Sequence, residues 1–319
     1  MPSPRRDSPR SGTSRPPDAP TLSVVVASNR DRSLLDACLA SLRGQCVRAG
    51  AELIVARAGL EHEAAALRRV FPGVRFIAAP ADASIPQLRG IGMAEAAGDI
   101  VALTEDHCVA DEHWLETIAR HAGEGGGADV VGGGMDNAQR ARAVDWGAYF
   151  AEYGFFAPSR KSDELAVPLL TGANVAYHRR VVDQVVELAR QDEWENVAHD
   201  RLLASGSILR FASTAAIYQN QSYSFGPFCV DRYQHGRDYA RKRLAEAPGV
   251  KRWLHLMGTP LLPFVLTWRV AQAAGEQRRG TFIRALPATF AFLAAWSVGE
   301  AVGYLKGKAP ATGAEPPAP

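Results

Sequence analysis

The residues best suited to chemistry directly follow a short apolar run in the first third of the chain. Residues 100–103 are apolar, and Thr104, Glu105, Asp106 and His107 come next. Carboxylates that leave a buried strand offer the oxygen ligands that hard divalent cations prefer. We therefore expect Asp106, aided by Glu105, to bind Mg²⁺ or Mn²⁺, while a plain surface turn is the alternative. His107 is a candidate nitrogen ligand, although a histidine beside a turn more often only forms a hydrogen bond.

The overall composition limits the class of protein. Apolar residues make up 47% of the 319 positions, and 36 basic residues nearly balance 34 acidic ones. Disordered chains have fewer apolar residues and more net charge. The four cysteines include no Cys-x-x-Cys pair, so they support neither a disulfide scaffold nor a zinc site and fit a reducing compartment. Net charge near zero gives no argument for nucleic acid as a partner.

Strand and helix patterns alternate around the acidic motif. Short apolar runs alternate with helix-like segments five times between residues 21 and 134. This alternation predicts an α/β domain with a doubly wound, mainly parallel sheet. Ligands of such sheets bind beyond the carboxyl ends of the strands, so polar residues that follow a strand are the first candidates for a site. Further along, we expect a helix that ends at Gly206 and a final pair of strands over residues 207–221.

The two ends of the chain differ from its middle. Residues 1–20 and 306–319 are rich in Pro and poor in apolar residues, which predicts disordered tails, and the first lacks the apolar core of a secretory signal. Two apolar stretches, 253–268 and 285–299, have Trp near their ends and Arg beside them. Each is shorter than the roughly 20 residues of a membrane span. We expect a membrane-associated pair of apolar helices over residues 246–305, and a buried pair covering the sheet is the alternative.

Four further segments have a recognisable order and spacing. They are SVVVASNR (23–30), RGIGMAEAAGDIVALTEDHCVADEHW (89–114), TGANVAY (171–177) and RLLASG (201–206). Together they resemble the family-two inverting glycosyltransferases of the GT-A fold. In that family the first strand reads roughly S-V-V-I-P-T-Y-N-R, and the middle segment reads R-N-x-G-x-x-x-A-x-G-[DE] before an apolar strand that ends in a D-x-D-like motif. The resemblance implies a GT-A domain over residues 21–245.

The resemblance also implies the place of a nucleotide-sugar site. The matching positions are Ala27, Ser28, Asn29 and Arg30 for the nucleotide, Arg89 and Gly92 near the diphosphate, and Thr104, Glu105 and Asp106 on the D-x-D element. The family's T-G-x-N motif matches residues 171–174, which implies that Gly172 and Asn174 lie by the donor sugar and the acceptor. There Asn174 is expected to form hydrogen bonds with sugar hydroxyls.

A carboxylate near residue 200 is expected to be the general base. The offset from Gly206 and the match at Arg201-Leu202 align the family's base with Glu195, and Asp200 is the competing candidate. On one helix these two side chains point about 140° apart, so only one can face the donor sugar. Helix geometry alone does not choose between them. The neighbouring Trp194 is expected to raise the pKa of Glu195 toward a value useful for a base.

Four features depart from the family pattern, and one of them is that the usual E-D pair ahead of the acceptor helix is replaced. The second strand ends in Ala56-Arg57-Ala58 and lacks the Asp that contacts the uracil base of the nucleotide in the family. The sequence therefore does not determine which nucleotide the donor carries. Thr104 replaces the first acid of the D-x-D element. Residues 218–221 lack the His that often follows the last strand of the family.

These features predict a function and leave two alternatives. The resemblance implies a bacterial, metal-assisted, inverting glycosyltransferase that moves a sugar from a nucleotide sugar to a lipid-linked or cell-envelope glycan acceptor. Nucleotide sugars are made in the cytoplasm, so we expect it at the cytoplasmic face of the cell membrane. One alternative is a degenerate GT-A protein that binds a glycan or nucleotide without turnover. The other is a nucleotidyltransferase, although no Gly-rich phosphate loop follows the first strand.

Overall fold

The described part of the chain covers most of the predicted domain. The computed structural model describes residues 21–123, 128–158, 164–165, 167–246 and 250–306. The first predicted tail, and the second beyond Lys306, lie outside the described residues.

A single curled sheet forms the centre of the molecule. Its strands are β1 (Leu22–Ser28), β2 (Glu52–Ala58), β3 (Val74–Ala79), β4 (Ile100–Glu105), β5 (Cys108–Ala110), β6 (Val130–Asn137), β7 (Glu164–Leu165), β8 (Val175–His178) and β9 (Leu209–Gln219). The order is β3-β2-β1-β4-β8-β6-β9-β5, with β7 paired to β9. Among the described strands, β5, β7 and β8 run antiparallel to the other six. The predicted doubly wound, mainly parallel sheet of the GT-A type is thus confirmed.

Helices cover both faces of this sheet. They are α1 (Arg32–Ala49), α2 (Ala64–Val70), α3 (Ile85–Ala94), α4 (Trp114–Gly123), α5 (Ala143–Tyr153), α6 (Arg179–Arg190), α7 (Glu195–Ala204), α8 (Phe225–Glu246), α9 (Val250–Gly258) and α10 (Leu262–Lys306). Val24 and Val26 join a core with α1 and α4, whereas Val25 joins a second core with α3 and α6. All residues of β1 and β4 are therefore buried, which explains their continuous apolar sequence.

The helix α3 has a well-defined start that fixes its register. The Ser84 hydroxyl accepts a hydrogen bond from the Gln87 backbone at 3.3 Å, and the Gln87 side chain accepts one from the Ser84 backbone at 3.0 Å. This reciprocal capping box satisfies two backbone N–H groups that a helix start otherwise leaves unpaired. It places Arg89, in the second turn of α3, close to the end of β4.

The last strand differs from its prediction. Residues 207–221 were expected to form two strands, but β9 is one strand of 11 residues. Its pairing with β6 changes register between Gly133 and Met135, and the strand then continues beside β5. This change of register is a β-bulge, so the stretch that resembles a turn in the sequence lies within one continuous strand.

The C-terminal region consists of apolar helices that pack on the domain. The 45 residues of α10 include a break at Gly275, whose φ of 63° is left-handed and suits glycine. The helix contacts α5 and α8 closely, since a Cβ atom on Gly299 would lie 2.0 Å from the Tyr233 carbonyl oxygen. Among the described residues, the region Lys251–Lys306 is long and apolar enough to cross a membrane, but buried core helices meet the same criteria.

Candidate active site

The carboxylate of Asp106 is held at the edge where β1 and β4 end. It is completely buried, and its Oδ2 accepts hydrogen bonds from the Ser28 hydroxyl at 2.9 Å and the Arg30 backbone at 2.7 Å. The Asp106 backbone N–H donates to the Ala27 carbonyl at 3.1 Å. The other carboxylate oxygen, Oδ1, has no hydrogen-bond partner. One oxygen thus fixes the side chain, and the second is available to a ligand.

The environment of Asp106 sets its protonation. Burial raises its pKa above the ordinary value, and hydrogen bonds from Arg30 and Ser28 only partly oppose this. Asn29 and Arg30 follow β1 as exposed residues, while Ala27 and Thr104 are buried within their strands. Ala27, Ser28 and Arg30 therefore each form a hydrogen bond with Asp106.

Arg57 joins this network although the sequence pattern pointed only to a missing Asp. Its Nη1 donates to the Ser28 hydroxyl at 2.6 Å and to the Arg30 carbonyl at 3.1 Å, and its Nε pairs with Glu63. The same Nη1 lies 4.0 Å from Asp106 Oδ2. An arginine that ends an apolar strand at the ligand-binding edge was the available signal. Arg57 therefore positions the residues that hold Asp106.

Arg89 connects the acidic motif to the predicted base. Its Nη2 donates to Glu105 Oε1 at 2.5 Å, and its Nη1 donates to Glu195 Oε2 at 2.7 Å. The guanidinium also lies 5.7 Å from the ring centroid of Trp194. Arg89 and Glu105 are almost fully buried, and Glu195 is partly exposed. Arg89 thus joins Glu105 and Glu195, which are far apart in sequence.

A glycine makes room for this arginine. A Cβ atom on Gly172 would lie 2.2 Å from Arg89 Nη1, a distance that real contacts do not reach. The Gly172 backbone N–H also donates to Glu195. Gly172 is therefore at the site, and its lack of a side chain lets Arg89 lie between Glu105 and Glu195.

The Arg89 guanidinium determines the charge of both carboxylates. Burial alone would raise the pKa of Glu105 and of Glu195, but Arg89, together with His107 and Arg30 at Glu105 and with backbone hydrogen bonds at Glu195, lowers both pKa values below the ordinary one. The expectation that Trp194 raises the pKa of Glu195 is therefore wrong for this structure. The physical reason is that the ring lies beside a guanidinium whose charge acts directly on the carboxylate.

His107 places a nitrogen next to the free oxygen of Asp106. Its Nε2 lies 3.2 Å from the Tyr153 hydroxyl, and its Nδ1 lies 3.9 Å from Asp106 Oδ1 and 3.5 Å from Glu105 Oε2. Neither Nδ1 nor Asp106 Oδ1 has a hydrogen-bond partner, although both are buried. Two ligands that bind one Mg²⁺ at about 2.1 Å lie at most about 4.2 Å apart. At 3.9 Å these two atoms are within that limit but farther apart than the about 3.0 Å of adjacent octahedral ligands, so a small side-chain movement would be needed for both to bind one ion. Glu105 is already paired with Arg89.

Asp106 Oδ1 and His107 Nδ1 supply only two of the ligands that a complete metal centre needs. No group of three or more His, Cys, Asp or Glu side chains suited to a metal occurs within the described ranges. A complete coordination shell would therefore need oxygens from a ligand or from water.

Three predicted residues have other roles in the structure. The Asn174 amide is buried, donates to the Gly134 and Ala215 carbonyls at 2.9 and 2.8 Å, and accepts from Trp114 Nε1 at 2.8 Å. Its groups are therefore used within the fold and are not free for a sugar. Gly92 packs α3 against β1, where a Cβ would lie 2.3 Å from Val25. Asp200 is exposed on α7, whereas Glu195 contacts the site.

His199 is buried on α7, and its environment predicts that the stability of the protein depends on pH. Its Nε2 is 3.0 Å from the Tyr177 hydroxyl, and burial lowers its pKa from 6.5 to about 4. Between pH 6.5 and about 4, His199 is therefore protonated in the unfolded chain but not in the folded chain. The free energy of unfolding is therefore expected to fall by up to about 3 kcal/mol as the pH decreases from 7 to 4.

Chemical unfolding at several pH values tests this expectation. His199→Gln removes the titrating ring, so its unfolding free energy should depend less on pH in this window. The other histidines with a lowered pKa, His178, His235 and His255, remain in both proteins. Equal slopes for the variant and the natural chain would contradict the prediction.

A family model matches the part of the chain that forms most of the sheet. The model described as glycosyl transferase family 2 matches residues 23–186, just over half of the chain. The chain belongs to glycosyl transferase family 2. Comparison with curated protein sequences gives no match.

Solved structures share the fold of this family 2 chain. The mannosyltransferase PcManGT from Pyrobaculum calidifontis, in complex with GDP-Man and Mn²⁺, has a TM-score of 0.56 at 16% identity over 92% of this chain and 88% of its own. GalNAc-T7 with UDP, GalNAc and Mn²⁺ has a TM-score of 0.50 at 14% identity over 73% of this chain and 52% of its own. At these identities the likeness concerns the fold.

Proposed function

We propose that this family 2 protein is an inverting, metal-assisted glycosyltransferase that uses a nucleotide sugar and a lipid-linked or cell-envelope glycan acceptor. The observation that carries the proposal is Arg89, which binds both Glu105 and Glu195, while Asp106, the residue after Glu105, keeps one oxygen without a partner. A cation, a metal ligand and a carboxylate base are the groups that such a transfer needs. The Mn²⁺ and nucleotide compounds named with the two similar structures add support.

The donor diphosphate is proposed to bind between Arg89 and Asp106. Asp106 Oδ1 and His107 Nδ1 would hold Mg²⁺ or Mn²⁺ there, because both are buried without a partner. A bound ion supplies positive charge that stabilises the departing diphosphate. Arg89 supplies a second positive charge, and its planar fork suits phosphate oxygens.

Glu195 is proposed to accept the proton of the acceptor hydroxyl. The hydroxyl oxygen then attacks the anomeric carbon, and the bond from that carbon to the diphosphate breaks on the opposite side, which inverts the centre. In the free protein Arg89 keeps the pKa of Glu195 low, which makes it a weak base. We infer that the donor diphosphate competes for Arg89, so that donor binding raises the pKa of Glu195.

Asp106→Asn tests the metal site. The amide still accepts hydrogen bonds from Ser28 and Arg30, so the fold should remain while the ligand charge is lost. We expect most of the turnover to disappear, measured as nucleoside diphosphate released from a panel of nucleotide sugars with Mg²⁺ or Mn²⁺. Asp183→Asn, an exposed carboxylate on α6, is the matched control.

The outcomes separate the proposed functions. Full activity of Asp106→Asn, or of the natural chain in excess chelator, would overturn metal assistance. Absence of nucleoside diphosphate release from every sugar nucleotide would instead support the degenerate binding protein.

The C-terminal helices are proposed to hold the enzyme on the cytoplasmic face of a bacterial membrane. One face of α10 packs on α5 and α8, whereas the opposite surface exposes large apolar side chains. They include Phe264 and Trp268 of α10, which are 63% and 64% exposed, and α9 adds Trp253, Leu254 and Met257, which are 57% to 76% exposed. Apolar and aromatic side chains of this kind enter the interfacial layer of a bilayer, and the packed face favours lying on the membrane over crossing it.

Cell fractionation tests this placement. The full chain is expected to sediment with membranes, and the double variant Phe264→Ser/Trp268→Ser should shift to the soluble fraction because it loses exposed apolar area. Val47→Ser is the control, since Val47 is 75% exposed on α1. A natural chain that is wholly soluble without detergent would mean that the helices only cover the domain.

A further inference from the structure

A second cleft lies outside the candidate active site, between the end of β6, α5 and the middle of α10. Its volume is about 340 Å³. The lining residues are Asp136, Arg140, Trp146, Arg278, Thr281 and Arg284. Three of these six side chains are arginines, and one is acidic.

The arginines are only partly neutralised. Arg278 Nη2 lies 2.7 Å from Asp136 Oδ2, and its Nη1 donates to the Tyr149 hydroxyl at 2.9 Å. Arg140 lies 3.7 Å from the same Asp136 oxygen and is 64% exposed. Arg284 is exposed and pairs with no carboxylate in the described part of the chain. Three guanidinium groups thus face one carboxylate, and the cleft has two positive charges in excess.

We propose that this cleft binds a phosphate group, carried either by a lipid headgroup or by a soluble phosphate compound. The excess charge matches a phosphate dianion, and guanidinium forks bind phosphate oxygens through paired hydrogen bonds. Arg278 is fixed in place by Asp136 and Tyr149, so part of the site is formed before a ligand arrives. The Thr281 hydroxyl provides a further donor at the wall of the cleft.

The position of the cleft separates it from the donor site. Trp146 lines the cleft, and Tyr153 of the same helix contacts His107. Seven residues of helix span about 10 Å, so the two sites lie along one helix without sharing side chains. The cleft also borders apolar surface, because Ile283 and Leu286 next to Arg284 are 58% and 36% exposed. This inference does not depend on glycosyl transfer.

Binding of inorganic pyrophosphate to the full chain tests the charge of the cleft. Titration calorimetry is done in EDTA, so that no metal holds the probe at the donor site. The double variant Arg140→Gln/Arg284→Gln keeps Arg278 and its structural contacts. We expect its affinity to be about 10- to 100-fold weaker, as expected for lost hydrogen bonds to a charged group. Arg279→Gln, exposed on the same helix but outside the lining, should bind like the natural chain.

Vesicles identify the source of the phosphate. The same proteins are sedimented with phosphatidylcholine vesicles with and without phosphatidic acid. If phosphatidic acid increases the vesicle-bound fraction of the natural chain and of Arg279→Gln but not of the double variant, the cleft binds a lipid phosphate. Unchanged vesicle binding with weakened pyrophosphate binding would assign a soluble phosphate compound. If neither probe distinguishes the double variant from the natural chain, the phosphate site is overturned, whatever the outcome for membrane binding or turnover.

Discussion

Glu195→Gln is expected to reduce turnover by about 10²- to 10⁴-fold, the usual contribution of a general base. The amide cannot accept the acceptor proton, but it still accepts a hydrogen bond from Arg89, which lies 2.7 Å from Glu195 Oε2. Donor binding should therefore persist. Initial rates with the acceptor, together with calorimetric titration of the donor, measure the two effects separately.

Asp200→Asn is the matched control for this variant. Asp200 lies on the same helix, α7, but its side chain is exposed, so its loss should leave turnover near that of the natural chain. If Asp200→Asn loses turnover and Glu195→Gln does not, the assignment of the base is wrong.

Arg89→Met is expected to lower the free energy of unfolding by about 3–5 kcal/mol at neutral pH, because it leaves Glu105 and Glu195 without their shared counter-charge. Glu105 is almost fully buried, so water cannot replace the guanidinium there. The loss should shrink as the pH falls, because burial without Arg89 raises the pKa of the uncompensated carboxyl groups, which then become neutral at a higher pH than the paired groups of the natural chain. Denaturant unfolding at pH 7 and pH 4 measures both effects.

A double variant isolates the role of the ion pair. Glu195→Gln in the Arg89→Met background removes one of the two uncompensated charges, so it should recover part of the lost stability at pH 7. If the double variant loses as much free energy of unfolding as the two single variants together, Arg89 and Glu195 do not interact energetically. Their ion pair would then contribute nothing to stability.

The fold could be predicted from sequence because its signal is local. Each strand of the parallel part is a short apolar run, and each intervening helix has its own periodicity, so the alternation predicts the layers without knowledge of distant contacts. Two strands were expected where β9 is one continuous strand, because a bulge depends on the partner strand and leaves no local signal. In that case the deciding contact is between Gly133–Met135 and a strand some 80 residues later.

The site was predictable in its positions and less so in its interactions. The motif order brought Arg89, Glu105, Asp106 and Glu195 to one place, as the structure has them. The motif could not indicate that the Asn174 amide is used by three groups of the fold, since these come from distant segments. It also could not predict the charge on Glu195, because Trp194 is adjacent in sequence and Arg89 is adjacent only in space.

The packing of α10 on the domain has a consequence for how the chain is made. Val270, Phe282 and Ala285 of α10 belong to the same core as Tyr149 and Phe150 of α5. During synthesis these partners leave the ribosome after the last strand, β9, so the apolar surface of α5 stays uncovered for a time after the sheet is complete. A nascent chain at that stage exposes surface that favours aggregation. A chain truncated before residue 262 would remain in this state. Chaperones or the membrane itself would then have to cover the apolar surface of α5.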